Sequence, residues 1–284
     1  APDPQLFPHG GREAWIRPGR ALITWCVFGN DGAQWHLQKW FVDQCAALKC
    51  EFLLLDGGWR SEQWGFLAGG ADPWARLKEL CEYAAAKDVG IVVWHAFPEG
   101  RDDGPGLTQP AARDEFFQRC RQAGVQGVKI DFFDSESLEV VEAWEDLTRR
   151  AATHQLTINF HGSNKPTGET RTWPNHITRE GLREQEYLLW GTLPRAHYAH
   201  SPSHVWLPDT AISCPATCAP STCRIPGPPS RWERPSSPPP RSSAGPIIRK
   251  ITGPASSWGS CRPCPPCGTR PTCCRDRKSD AAWP

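Results

Sequence analysis

The sequence predicts an α/β fold: part of a (β/α)8 barrel of the TIM type, followed by an irregular Pro- and Cys-rich tail. From about residue 12 to 195, short β-branched runs alternate with amphipathic stretches, as βαβ units and a parallel sheet require. Polar residues follow the strand-like runs, at the strand ends where barrel active sites lie. After about residue 200 neither a helical nor a strand period survives. A doubly wound open sheet is the competing architecture, but no glycine-rich phosphate fingerprint follows the first strand.

The strand candidates, in order, are ALITW (21–25), EFLLLD (51–56), GIVVWH (90–95), GVKIDFF (127–133) and LTINFH (156–161). The helix candidates between them are WHLQKWFVDQCAAL (35–48), DPWARLKELCEYAAAKD (72–88), ARDEFFQRCRQAG (112–124) and LEVVEAWEDLTRRAATH (138–154). Each repeats apolar residues at three and four spacing, as in Leu77, Leu80, Cys81 and Ala84, which marks one buried helix face. Asp72 and Asp114 are read as first-turn acids favouring helix initiation. The expected division is a linker or remnant of a preceding β-sandwich domain over 1–11, an incomplete barrel over 12–200, and the tail over 201–284.

Eighteen of the 29 Pro and eight of the 13 Cys fall between Ser201 and Pro284. Disorder, a cysteine-based disulfide or metal module, and out-of-frame translation are the competing readings. Cys261, Cys264 and Cys267, with Cys273 and Cys274 following, resemble a metal-ligand run. Synonymous codons, however, allow the segment from Arg262 to be re-read from the third base of each codon as AVPAVWDETHVLPGSEIGRGLA, which has a regular apolar rhythm. A frameshift is therefore the favoured reading, and the alternative frame is expected to continue the barrel.

The 39% hydrophobic fraction over 284 residues can supply a large core. A net charge of +1 gives no global field for nucleic acid or an anionic membrane, and no apolar run is long enough to span a bilayer. The opening APDPQLFPHGG has neither Met nor signal-peptide zones, so the true N-terminus is expected to lie upstream. Fifteen Trp against three Tyr provide flat platforms for sugar faces as well as core filler. The five Cys of the patterned region lie at helix- or strand-like positions and are expected to be buried thiols rather than a disulfide framework.

Glycoside hydrolysis requires two carboxyl groups, and strand ends offer them. Asp56 ends EFLLLD, Asp131 ends GVKID, and Asp134 follows in the next loop. Lys129 precedes Asp131 by two residues and shares its strand face, where it would hold the carboxylate ionised for nucleophilic attack. Beyond the fifth strand come Asn159, His161, Glu180, Glu184 and Glu186. Six residues along a helix turn about 240°, so Glu180 and Glu186 reach one site only if a loop or helix start separates them. Such a pair suits a hard cation such as calcium, the alternative being a solvated acidic face. His161 closes a strand on the same rim; a lone His there is more commonly structural. No GxSxG nucleophile elbow is present.

The strings IRPGRALITW, DGGW, GVKIDFFDS and above all NFHGSNKPTGETRTWPNHITREGLREQEY closely resemble the catalytic barrel of glycoside hydrolase family 97, over roughly residues 12–200. The hidden-frame AVPAVWDET resembles the same family late in its barrel. The resemblance implies calcium-assisted cleavage of α-glycosides, with β domains before and after the barrel, in a secreted or periplasmic protein. It assigns Asp131 as nucleophile, Glu186 as general acid and base, Glu180 and Glu186 to the calcium shell, and Asp56, Lys129 and His161 to substrate binding. Inverting members lack the Asp and carry a base Glu after the fifth-strand His. Here Asp131 is present and Gly162 stands at that Glu position, which implies the retaining, α-galactosidase branch. Glu184, Cys26 and Gly57 depart from the usual pattern and bear on local fit and sugar contacts.

The leading expectation is thus a retaining α-galactosidase whose chain, as printed, is inactive. Its carboxyl separation is expected near 5–5.5 Å rather than the roughly 6.5–9.5 Å of inversion. The alternatives are an inverting α-glucosidase, a non-catalytic or carbohydrate-binding remnant, and a metal-binding cysteine module.

Overall fold

A computed structural model describes residues 1–101, 105–181, 183, 186–187, 191–194 and 196–197. The expectations for the tail, including its cysteines, and for Glu184 fall outside these residues.

Six parallel strands form one sheet in sequence order: β1 (Ala21–Ile23), β2 (Phe52–Leu55), β3 (Gly90–Ala96), β4 (Gly127–Asp131), β5 (Thr157–Phe160) and β6 (His176–Arg179). The helices are α1 (Trp25–Phe28), α2 (Trp35–Ala47), α3 (Pro73–Ala85), α4 (Pro110–Ala123) and α5 (Leu138–Thr153). Strands that neighbour in sequence also neighbour in space, with helices crossing between them, so the sheet is the open wall of a (β/α) barrel.

Alternation along the strands separates the two faces. Leu53 and Leu55, Ile91 and Val93, Val128 and Ile130, and Ile158 and Phe160 belong to the main apolar core beneath the helices. The intervening positions carry Leu54, Trp94, Lys129 and Asp131, which are buried but lie outside that core. The helices meet the sheet through the predicted stripes; on α5 the buried residues are Ala143, Trp144, Leu147, Thr148, Ala151 and Ala152.

Helix α3 starts as expected, the Asp72 carboxylate accepting from the Ala75 N–H at 2.7 Å with Pro73 in the first turn. The expectation for Asp114 is corrected. Pro110 starts α4 one turn earlier, because its fixed φ suits a first helical position. Asp114 instead pairs with Arg150 of α5. Trp25 leaves the first strand to open α1, and a short 3-10 turn, Gly29–Ala33, follows. Strand β6 has no counterpart among the sequence candidates: HITR holds a single β-branched apolar residue, too little to show a period.

The four long helices end alike. Lys49, Asp88, Gly124 and Gln155 take positive φ, and the next amide donates to the carbonyl five residues back. These bonds run from Cys50 to Cys45, Val89 to Ala84, Val125 to Cys120 and Leu156 to Ala151, at 2.9 to 3.0 Å. Each is a Schellman turn that satisfies carbonyls orphaned by the helix end and delivers the chain into the next strand.

Candidate active site

The site is built on the C-terminal ends of β2 to β6. Strand β4 ends on Asp131, after which Phe132 turns to φ 65° and donates its amide to Asp131 Oδ1 at 2.7 Å. That strained residue re-aims the chain at the rim and closes one side of the carboxylate. The other oxygen, Oδ2, accepts the Trp94 indole N–H at 2.9 Å and lies 3.6 Å from Lys129 Nζ. The pairing of β3 with β4 sets Trp94 beside Lys129 and Ala96 beside Asp131, which carries the indole to the carboxylate.

Lys129 is buried and bonds Asp56 Oδ2 at 2.9 Å, so one ammonium serves the carboxylates ending two strands. Asp56 Oδ1 also accepts from the Gly57 amide at 2.8 Å. Burial alone would push Lys129 down, but the charges of Asp56 and Asp131 outweigh it and raise its pKa above the ordinary lysine value.

His161 follows β5 and stands at the centre. Its Nδ1 lies 3.2 Å from Asp131 Oδ1 and 3.3 Å from Glu180 Oε2, and its Nε2 lies 3.7 Å from Glu186 Oε2. Burial and Lys129 act to neutralise the ring, yet Asp131 and Glu180 prevail and raise its pKa. Asp131 experiences the same balance from the other side. Its burial is overcome by the hydrogen bond and charge of His161, the charge of Lys129 and the Trp94 bond, so its pKa falls well below the carboxylate range. Glu186 moves the opposite way: burial raises its pKa, against the opposing pull of His161 and Lys129. Two carboxyl groups therefore flank one imidazole, one held ionised and the other favouring its proton, the division of roles that acid–base catalysis with a nucleophile needs.

Glu180 directly follows β6 and Glu186 lies in a short 3-10 segment further on. Gly181 and Arg183, the described residues between them, lie in no helix, so the two glutamates do not share one regular helix face. Glu180 Oε2 is anchored by the Gly162 amide at 2.9 Å. Gly162 has φ 54°, and a Cβ there would sit 3.2 Å from Asp131 Oδ1, so both the backbone and the crowding favour glycine. Ligand atoms of His161, Glu180 and Glu186 all lie within 4.8 Å of one another, a spacing compatible with a shared metal ion.

Asp56, Lys129, Asp131, His161, Glu180 and Glu186 are therefore brought together. Asp134 is not: its side chain is 65% exposed and lies 4.0 Å from Arg101. His161, which the sequence shows without a local constellation, proves to be the hub. Trp94 was not singled out by sequence reasoning, because its place beside Lys129 is set by the register of β3 against β4. Trp59 and Trp144 are core filler.

The family model described as Glycoside hydrolase 97 matches residues 15–182. A probable retaining alpha-galactosidase of Streptomyces bingchenggensis is 36% identical over 176 residues, covering 61% of this chain and 27% of that protein. The retaining alpha-galactosidase of Bacteroides thetaiotaomicron is 29% identical over 189 residues, covering 63% and 27%. The chain thus spans about a quarter of the length of these curated relatives. Among solved structures, a beta-arabinopyranosidase aligns with a TM-score of 0.54 and 27% identity, over 62% of this chain and 27% of that one. A family 97 enzyme from Pseudoalteromonas sp. strain K8 in complex with acarbose aligns with a TM-score of 0.54 and 19% identity, over 70% and 36%; at that identity the likeness concerns the fold.

Proposed function

Because the chain belongs to glycoside hydrolase family 97, we propose that it carries the catalytic wall of a retaining α-galactosidase. The observation that bears most weight is the position of Asp131, a buried strand-end carboxylate facing Glu186 across the His161 ring. In the proposed first step an Asp131 oxygen bonds the anomeric carbon while Glu186 gives its proton to the departing glycosidic oxygen. In the second, Glu186 takes a proton from water, whose oxygen displaces Asp131 from that carbon. Two inversions leave the configuration retained. Gly162 supports retention, since its positive φ and the nearby Asp131 oxygen disfavour a base Glu there.

Lys129 has its role in this reading through charge, pairing with Asp56 and helping to hold Asp131 ionised beside the sugar. Asp56 and His161 are proposed to hydrogen-bond substrate hydroxyls. Glu180 and Glu186 would hold calcium; the two hard carboxylates fit it, and further oxygen donors would complete the six to eight that calcium takes. When bound, the cation supplies positive charge that stabilises negative charge developing at the leaving oxygen. A secreted or periplasmic setting belongs to the same proposal.

The test uses the chain as it stands and the chain continued in the alternative frame with its preceding domain, each assayed on an aryl α-galactoside. Activity is expected only in the second. Its first-formed product should be α-galactose by proton NMR, and Asp131→Gly supplied with azide should release β-galactosyl azide. An initial β-galactose product, or an azide adduct of α configuration, would rule out Asp131 as the nucleophile of a retaining enzyme. An aryl β-L-arabinopyranoside belongs in the same assay. It presents the ring stereochemistry of α-D-galactoside without the hydroxymethyl group, and the beta-arabinopyranosidase is among the aligned structures.

A further inference from the structure

The four Schellman turns place two side chains against each other, one at the third residue from the helix end and one just past the left-handed residue. In α3, α4 and α5 these pairs are Ala84 with Val89, Cys120 with Val125 and Ala151 with Leu156, all buried. In α2 both positions are cysteine. The Cys50 amide donates to the Cys45 carbonyl at 2.9 Å, and the Lys49 amide donates to that of Ala46 at 3.0 Å. The Cys45 thiol donates to the Phe52 carbonyl at 3.0 Å and lies 3.4 Å from the Cys50 carbonyl oxygen. Both thiols are free, Cys45 buried and Cys50 half-buried. The turn thus sets two cysteines at the paired positions where its three counterparts set buried apolar partners, one of them buried and the other half-buried.

We propose that Cys45 and Cys50 are a disulfide-forming pair that covalently closes the turn between α2 and β2. With a small disulfide such as oxidised glutathione, the Cys50 thiolate attacks one sulfur, forming a mixed disulfide and expelling a glutathione thiolate that takes up a proton. The Cys45 thiol then loses its proton to solvent and attacks the Cys50 sulfur, expelling the second glutathione. Two thiols are oxidised and one disulfide is reduced to two thiols. Cys45 is the slow partner: burial, then the neighbouring Cys50, pushes its thiol up to about 12. Closure should therefore quicken with rising pH. The closed bond would fix the entry into β2, the strand that ends beside Asp56.

Lys49 makes the pair directly readable, because trypsin cuts between the two cysteines. The full chain is exposed to oxidised glutathione, alkylated and digested without reductant. The expected result is Trp40–Lys49 joined to Cys50–Arg60, separating on reduction. Separate alkylated peptides, glutathione held on Cys50 without closure, or either cysteine joined to a third would each overturn the proposal. The same exposure in strong urea should give several-fold less of the joined pair, since the turn at Lys49 is lost. Equal yield there would show that sequence proximity, not the turn, makes the bond. Cys45→Ala, which installs the residue found at this position in α3 and α5, should instead accumulate glutathione on Cys50; an unmodified Cys50 would defeat the proposed order of attack.

Discussion

The two rims of this barrel wall handle the chain in opposite ways. Where helices hand over to strands, the turns at Lys49, Asp88, Gly124 and Gln155 expose the left-handed residue and, at three of the four, bury an apolar pair. Where strands hand over to loops, the wall buries Asp56, Lys129 and Asp131 and stacks His161, Glu180 and Glu186 against them. The first rim repeats one solution because its task is only to satisfy carbonyls and exclude water. The second is irregular because each strand end must aim a different charge at one point. Burying like charges is costly unless each is paired, so the functional rim is stable only as a set.

That contrast is broken most severely at Asp131. Asp131→Asn keeps the shape but removes the charge proposed to attack the anomeric carbon, and turnover of an aryl α-galactoside by the frame-restored enzyme should fall by about 10³-fold or more. The fold should survive with a lowered melting temperature, because the charge that Lys129 and His161 pair with is gone. A folded variant that turns over at the original rate would detach Asp131 from the chemistry.

Lys129→Met should show its effect in stability. Removing the ammonium leaves Asp56 and Asp131 buried without their shared partner, at a cost of about 3–5 kcal/mol, read by urea unfolding near neutral pH. The sign with pH follows from the shifts. Asp131 has a depressed folded pKa, so its contribution is present above the unfolded value of about 3.9 and is lost as pH falls through the folded value. Lys129 has a raised one, so its contribution is present below about 10.4 and fades only above that. The wild type should therefore lose stability at the acid and alkaline extremes, with the variant flatter at both.

On the opposite rim, Leu156→Ala removes the apolar partner of Ala151 and opens a cavity under the α5–β5 turn. About 2–4 kcal/mol of stability should be lost, while kcat of the remaining folded enzyme changes less than about twofold. A large fall in kcat would mean that this turn positions His161 as well as supporting the strand.

How much of this could be read from the sequence follows the same division. The helix stripes were legible because one buried face imposes a period, and strands β1 to β5 because short apolar or β-branched runs stand out between the helices. Strand β6 was not, since His176 and Arg179 are buried polar residues that give no apolar signal. At the rim, the parity of Lys129 and Asp131 could be read along one strand. The centrality of His161 could not, because it depends on Asp131, Glu180 and Glu186 converging from three segments. Trp94 needed the pairing of β3 with β4, and spacing within one strand is silent on that.

The smallest expected effect tests the contrast most sharply, because it applies the same backbone change to both rims. Gln155 and Phe132 hold positive φ of 54° and 65°, a region that costs a non-glycine residue energy. Gln155 is exposed, and its side chain makes only a surface bond to Arg121. Gln155→Gly should stabilise the fold by about 0.5–1 kcal/mol without altering activity. Phe132→Gly relieves the same kind of strain but removes a ring set edge-on to Trp94 at 6.0 Å, where Trp94 holds Asp131 by its indole N–H. That variant should lose activity through a misplaced nucleophile even if its unfolding midpoint is unchanged. If both glycines behaved alike in activity and in unfolding, the strain at Phe132 would belong to the fold alone, as it does at Gln155.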